Sequence, residues 1–381
     1  MMKTIDQSSI RKQNVRRILD LLSNAPEMTR NALAEKAGLS LMTVSNLVEV
    51  LKSYGVLTFT PITRTESRAS GRKAENIALS GETHAWLVLE INSRKFRFTL
   101  LGFDQSVLDH GCMSVCCECE IVECLQRFAR MVRDRIALSL GQRNLLGVAI
   151  LTPDSYEKHS DTIRSQHLPQ TLGATALKEL FRQHLGAYHY IVDKDVKYAV
   201  RAFSILMNHA DCELLYFLCI GEALGGAVVH DGHLIYGHNF ATGDVNLLRD
   251  EHQQPYNCQL SIGAFAAALG LSDASAETLS AFALENPERY EQVLTAFVEK
   301  TADMLVHEIR SIDPNSIVVE CRYAHPMAER YLQLLHDALE RRINLPGLKL
   351  PELSLVPPTT NIMLAGAVHA LQLEWIEQII T

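Results

Sequence analysis

Apolar positions recur at helical spacing from the start of the chain. Ile10, Val15, Ile18, Leu19 and Leu22 share one face of a helix predicted over 10–23. A short loop, NAPEM, follows it. Thr29 is placed to cap a helix from Arg30 to Ala37 that Gly38 can end. Ser40 caps the next, from Leu41 to about Tyr54, and Gly55 stops it. The run VLTFTPI then reads as a strand, TRTESRASGRK as a polar connection, and ENIALS as a second strand. Three helices and a two-stranded ribbon are the layout of a winged helix.

From Trp86 the period changes. WLVLEI, FRFTLLGF and SVLDHGCMSV read as successive strands, and a helix is predicted from about Val122 to Leu140. LLGVAIL is a buried strand, followed by a long polar connection from Ser155 to Gln170 and a helix over Leu172–Leu185. HYIVDKD is a strand, and a helix over Tyr198–Met207 follows. LLYFLCIG, GAVVHDG and HLIYG make a meander, and Ala264–Ile312 is mostly helical. SIVVE, a helix over Met327–Leu339, LSLVPP and a helix over Ile362–Ile380 close the chain. The order of elements fits two related α/β lobes, each with a meander beside parallel strands.

Charge sharpens this division. The net charge of −8 hides 12 basic and 7 acidic side chains in residues 1–80, an excess of +5 that leaves −13 for the rest. A basic head on an acidic body points to a polyanion as the partner of the head alone. Lys3, Asp6, Arg11 and Lys12 interrupt any apolar leader, and Glu222 breaks the longest apolar stretch, Leu214 to Val229. Nine cysteines without an export signal point to reduced thiols, so the expected location is the cytoplasm, with no membrane partner.

Within the head, Ala34, Gly38, Val44 and Leu47 stand where a helix-turn-helix needs a small residue, a turn and two pinning side chains. That leaves Ser40, Thr43, Ser45 and Asn46 on the exposed early turns of the recognition helix, facing base edges. Arg30, Lys36 and Lys52 flank it as phosphate contacts. In the ribbon tip, Arg64, Arg68, Arg72 and Lys73 lie among Ser67, Ser70 and Gly71, a composition suited to laying arginines into a minor groove. The competing readings are an ordinary three-helix packing unit and a solvated hairpin loop.

The motifs as a set resemble the winged-helix repressor branch of the ROK family (repressors, open reading frames and sugar kinases). SGRKAENIALS is similar to the family's wing motif, with Lys73 in place of a proline. The body matches in IVDKD (191–195), GEALGGAVVHDGHLIYG (221–237), NFATGDVN (239–246) and IDPNSIVV (312–319). The resemblance implies an α/β fold: a winged helix-turn-helix over 1–80, then a two-lobed actin-like, ribonuclease-H-like ATPase fold with a sugar cleft between the lobes. The first lobe would cover 81–195, completed by the C-terminal helix 362–381, and the second 196–361.

The departures from that family concern phosphate and metal. Where its kinases place glycines beside ATP, this chain has Glu90-Ile91-Asn92-Ser93-Arg94. A carboxylate, Glu222, occupies the second phosphate turn, and Glu320-Cys321 stands where a glycine pair is usual. Phosphoryl transfer rests on positioning and charge neutralisation, so a non-enzyme, a pseudokinase, is expected. Positions of the family's zinc motif match Asp244, Val245, Asn246, Leu247, Cys258 and Leu260. The ligand histidine has become Leu247 and two of three cysteines are absent, so no metal and no cofactor are expected.

The family's catalytic base matches Asp195, its neighbouring asparagine has become Lys194, and Asp244 replaces a glutamate. With Arg164, Ser165, His167 and His159 from the long connection, these are the candidate effector contacts, suited to an acidic or phosphorylated sugar. For Asp195 the plain alternative is a helix cap. Cys112, Cys116, Cys117, Cys119 and Cys124 cluster within thirteen residues. On an extended strand, Cys112, Cys116 and Cys124 would face one side, Cys117 and Cys119 the other. Packing is favoured there over a redox or metal role.

The sequence thus predicts a cytoplasmic DNA-binding regulator, a repressor of carbohydrate-related genes. As a homodimer or homotetramer it would hold a pseudo-palindromic double-stranded operator and respond to a sugar or sugar-phosphate effector. The alternatives are a sugar kinase, or a regulator controlled by a protein partner or oxidation around a vestigial cleft.

Overall fold

Helix α1 (Gln7–Ser23) forms on the predicted stripe and buries Val15, Ile18, Leu19 and Leu22. Strand β1 (Met28–Thr29), helices α2 (Arg30–Ala37) and α3 (Leu41–Ser53), and strands β2 (Leu57–Pro61) and β3 (Glu75–Leu79) complete the head. The computed structural model describes residues 7–25, 27–62, 75–92, 95–116, 120–153, 155–157, 159–164, 173–206, 213–246, 248–343, 347, 349–358 and 361–380.

Both predicted caps form. Thr29 Oγ1 accepts from the Ala32 amide at 3.2 Å, and Ser40 Oγ accepts from that of Thr43 at 3.1 Å. Gly38 ends α2 at φ 63°, ψ 34°, a left-handed conformation that a Cβ would strain. The loop expected at NAPEM ends instead in β1, which pairs antiparallel with β3 through Met28–Ile77 and Thr29–Asn76. Two residues carry too little periodicity to announce a strand; the pairing exists because β3 offers a free edge.

The first lobe contains β4 (His84–Ile91), β5 (Lys95–Gly102), β6 (Val107–Ser114), α4 (Ile121–Ser139), β7 (Asn144–Thr152), β8 (Ser155–Glu157), β9 (Thr162–Arg164), α5 (Ala174–Leu185) and β10 (Tyr190–Lys194). The sheet order is β10-β7-β4-β5-β6, with β7 parallel to β4. The long polar connection contains a small antiparallel hairpin, β8 with β9, where no strand was expected. One face of the sheet buries Leu87, Leu89, Phe96 and Phe98 under Phe128 of α4 and Phe181 of α5.

The second lobe opens with α6 (Asp195–Leu206), then β11 (Leu214–Ile220), β12 (Leu224–His230), β13 (His233–Ile235), α7 (Tyr256–Leu260), α8 (Ile262–Leu269), α9 (Ala276–Glu285), α10 (Pro287–Ile312), β14 (Ser316–Cys321), α11 (Ala328–Arg342) and β15 (Glu352–Leu355). Its order, β13-β12-β11-β14-β15, repeats the plan of the first sheet: a meander of three, then two more strands beyond the first. Helix α6 begins three residues before the predicted start. Its first residue, Asp195, accepts from the Val196 amide at 2.6 Å, which favours a helical start at an acidic side chain. The core is aromatic, with Phe265 stacked on Tyr323 at 4.2 Å and Tyr290 donating to the Tyr323 carbonyl.

Helix α12 (Ile362–Ile379) returns to the first lobe. The chain divides into two compact units, Met1–Asp193 with Leu364–Thr381, and Lys194–Met363. The head therefore belongs to the same unit as the first lobe, and α12 binds it there. Trp375 packs edge-on to Tyr54 of the head and to Phe103 of the lobe, at 5.6 and 5.2 Å. Lys12 pairs with Glu377 at 2.7 Å, and His369 approaches Asp20 at 3.5 Å.

Asp20 is a cost carried by that junction. Burial pushes its carboxyl up to about 6, with Arg16 opposing the shift. Between its ordinary value near 4 and about 6, the folded head holds a proton that the unfolded chain has released. This contribution therefore favours folding at low pH and is lost as pH rises through 6. Asp20→Asn should match the wild type near pH 4 and be more stable by about 2 kcal/mol at pH 7.5. Urea unfolding at both pH values checks this, and equal stability at pH 7.5 would contradict it.

Candidate nucleic-acid interface and ligand-facing residues

On α3 the apolar face, Val44, Leu47, Val48 and Leu51, is buried, with α2 and β2 packed on the helix, which turns the opposite face outward. Asn46 is exposed there, with Ser45 half-buried beside it. Ser40 and Thr43 are committed to capping: their hydroxyls share a hydrogen bond of 2.8 Å besides the bond to the Thr43 amide. A groove of about 470 Å³ between α1 and α3 is lined by Gln7, Arg11, Asn14, Thr43 and Asn46. Arg11, exposed one turn before Val15, and Asn14, half-buried at the flank of the α1 stripe, are groove residues that the sequence reading did not use.

Arg30 sits differently from the free phosphate contact expected of it. Its guanidinium lies 3.0 Å from Glu49 of α3 and 3.4 Å from Glu75 of β3, with the side chain 17% exposed. Two carboxylates cancel its charge, so it fastens α3 to the wing sheet. Lys52 rests 4.9 Å over the Phe59 ring with Arg30 beyond it, and Lys36 is exposed at the end of α2. Arg64, Arg68, Arg72 and Lys73 lie outside the described residues.

In the second lobe the residues predicted to meet an effector meet each other. Lys194, 2% exposed, pairs with Asp244, 15% exposed, at 2.8 Å. Two residues of α6 extend the row. Lys197 donates to the Phe240 carbonyl at 2.9 Å and lies 4.5 Å over the Tyr236 ring, while Arg201 bonds the Tyr236 hydroxyl. Sequence reading missed Lys197 and Arg201 because a helix starting at Tyr198 does not put them on the face of Lys194.

The 236–246 segment is seated by Tyr216, which donates to the Gly243 carbonyl at 2.9 Å. A Cβ on Gly226 would fall 2.0 Å from that same oxygen, so the strand and the segment touch only because residue 226 is glycine. Burial, then Glu308 and Asp244, push the Tyr216 phenol well above its ordinary value, and burial with Asp244 raises Glu308. His159 is exposed, the Arg164 side chain is not described, and Ser165 and His167 lie outside the described residues.

Asp195 stands near Cys219 and Glu320 at the carboxyl ends of β11 and β14. Burial, then both carboxylates, hold the Cys219 thiol well above its ordinary value. In the turn after β11, the Gly221 amide is used by the Ala223 carbonyl and that of Leu224 by the Asn257 side chain, with Glu222 exposed at the apex. These amides are engaged within the protein, and the charges around them are negative.

The strand parity expected for the cysteines does not apply. Strand β6 ends at Ser114, leaving Cys112 exposed on it, Cys116 half-buried beyond it, and Cys124 buried on α4. Cys117, Cys119, Cys212 and Leu247 lie outside the described residues. Of the zinc-motif positions that are described, Asp244 is paired with Lys194, Val245 and Leu260 are fully buried, Asn246 is half-buried and Cys258 is exposed. Among the described residues, the group of ligand-type side chains close enough to share an ion is the exposed His336 and Glu340 with the half-buried Asp337. No helix among them is long and apolar enough to cross a membrane.

A winged helix joined to a pair of ribonuclease-H-like sheets defines a class, an N-terminal helix-turn-helix ahead of an actin-like, sugar-kinase-type domain. A winged helix-turn-helix DNA-binding family matches residues 11–58 and the ROK family matches residues 90–346. The chain belongs to the ROK family.

An uncharacterized protein of Sinorhizobium fredii (strain NBRC 101917 / NGR234), y4fQ, is 22% identical over 365 residues, 94% of this chain and 89% of that one. A ROK family transcriptional regulator described as a homologue of the E. coli MLC protein superposes with a TM-score of 0.67 at 15% identity, covering 97% of this chain and 98% of its own. A ROK glucokinase from Streptomyces griseus, in complex with glucose and AMPPNP, gives 0.58 at 14% identity over 75% of this chain and 98% of its own. These structures share the fold. The architecture, a DNA-binding head on a ROK domain, supports a DNA-binding regulator.

Proposed function

We propose that this protein is a transcriptional repressor of carbohydrate-related genes. It binds a pseudo-palindromic operator as a homodimer or homotetramer and releases it in response to a sugar or sugar-derivative effector. The observation that carries the reading is α3: capped at Ser40, buried on one face, and presenting Asn46 and Ser45 outward beside a wing. That is the arrangement by which a recognition helix reads a major groove. Two copies related by a two-fold axis would place two such helices one DNA turn apart. Lys36, Arg11 and the basic wing segment are the phosphate contacts in this reading, and Arg30 a residue that positions α3.

Effector contacts are assigned to Lys194, Asp195 and Asp244, joined by Lys197 and Arg201. Phosphoryl transfer is not proposed, because the turn after β11 carries Glu222 where phosphate charge would have to be stabilised, and the Gly221 and Leu224 amides on either side of it are bonded within the protein. A ligand that shifts the ROK domain acts on the head through α12, whose Trp375 touches both the head and the lobe.

Selection of genomic DNA fragments by the purified full-length chain, followed by sequencing, tests this. Enrichment of a few palindromic sites is expected, and no enrichment at low salt would defeat the regulator reading. On the selected operator, Asn46→Ala should weaken specific binding by about 1–3 kcal/mol while changing non-specific binding little. Equal losses on both DNAs would remove Asn46 from base reading.

A further inference from the structure

The first turn of α3 carries two large apolar side chains that the head does not use. Met42 is 75% exposed and Leu41 49%, although the buried stripe of the same helix is complete without them. Met42, Ser45, Asn46 and Glu49 follow the i, i+3, i+4, i+7 spacing and share the outward face, so Met42 lies one turn before Asn46 on the surface assigned to DNA. Leu41 adjoins it, one turn before Ser45. The N-terminal turn is the part of a recognition helix that comes nearest the base edges. The apolar feature on those edges is the C5-methyl group of thymine.

We propose that Met42, with Leu41 beside it, forms an apolar contact for a pyrimidine 5-methyl group, so that each operator half-site has a preferred thymine next to the base read by Asn46. This rests on the regulator reading and deepens it by naming the chemistry of one base position. The polar members of the same face, the positive end of the helix dipole and the +5 charge of residues 1–80 fit DNA as the occupant better than a lipid or an apolar protein surface.

Uracil presents the same hydrogen-bonding edge as thymine without the methyl, which makes the test direct. Thymines of the selected half-site are replaced one at a time by deoxyuridine, in both halves of the duplex, and affinities of the full-length protein are compared. At one position the wild type should weaken about fourfold per half-site, the value of one buried methyl group. Met42→Ala should bind thymine and uracil operators equally there, with an unchanged thermal midpoint because the side chain is exposed. Met42→Leu should retain the preference.

Methyl-indifference at every thymine would overturn the proposal while leaving the regulator reading intact. So would full methyl sensitivity in Met42→Ala/Leu41→Ala, or an altered oligomeric state in Met42→Ala without loss of methyl sensitivity. Tightening only when 5-methylcytosine replaces cytosine would reassign the contact to that base and overturn the thymine form. If no fragment is enriched in the first place, the regulator reading fails and this inference fails with it.

Discussion

Lys194→Met should destabilise the second lobe by about 3 kcal/mol, because it strips the cation from a buried pair and strands Asp244 among low-dielectric neighbours. Glu308, already raised by burial and by Asp244, adds to the repulsion. Most of the loss should return in Lys194→Met/Asp244→Asn, since the penalty lies in the unpaired charge and not in the missing attraction. A double-mutant cycle by urea unfolding measures both terms. A loss below 1 kcal/mol in the single variant would show that water reaches Asp244 freely. The same cycle bears on function. An effector that binds here has to exchange contacts with an existing ion pair, so both single variants should change the effector response as well as stability.

Trp375→Ala should cost about 3–5 kcal/mol, the usual consequence of truncating a buried tryptophan. Here the loss has a direction. The indole is the piece shared by Tyr54 of the head and Phe103 of the first lobe, and Phe103 in turn packs on Trp86 at 5.4 Å. Its removal opens a cavity at the junction and leaves the head attached through polar contacts, among them the Lys12–Glu377 and His369–Asp20 pairs and the hydrogen bonds from Thr83 and His84 to the Gly55 and Tyr54 carbonyls. Faster hydrogen exchange confined to α1, α3 and α12 is the expected signature. Operator affinity should survive while its response to effector falls. Uniform exchange changes across both units would mean that Trp375 holds the fold and not the junction.

How much of this was readable beforehand differs by element. The caps at Thr29 and Ser40, the glycine at 38 and the apolar stripes of α1 and α3 are local signals, set by hydrogen-bonding capacity and by a period of 3.6, and they appear where those rules place them. Strand β1 is not local: it exists because β3 has an open edge. The early start of α6 is local, a carboxylate at position 195 meeting the next amide, but it is a capping signal that the apolar period of the helix does not register.

Residue chemistry alone made Arg30 a phosphate contact and Lys194 and Asp244 ligand contacts. The structure gives Arg30 two carboxylates and gives Lys194 and Asp244 to each other. Pairing of charges depends on which elements are neighbours in space, and Glu49, Glu75 and Asp244 are far from their partners along the chain. Met42 shows the reverse: in a list of residues it is an ordinary apolar side chain of a helix, and only the burial of the opposite face leaves it facing solvent.

By itself, then, the sequence determined the winged helix and the two α/β lobes, because these follow from short-range periodicity and capping, while the loss of phosphate-binding glycines was legible only against the ROK family that the motifs resemble. The tertiary structure decided that the head is bound by the C-terminal helix, which charges are spent inside the protein, and which side chains remain turned outward. Those outcomes depend on distances between residues tens to hundreds of positions apart, and no local rule contains them.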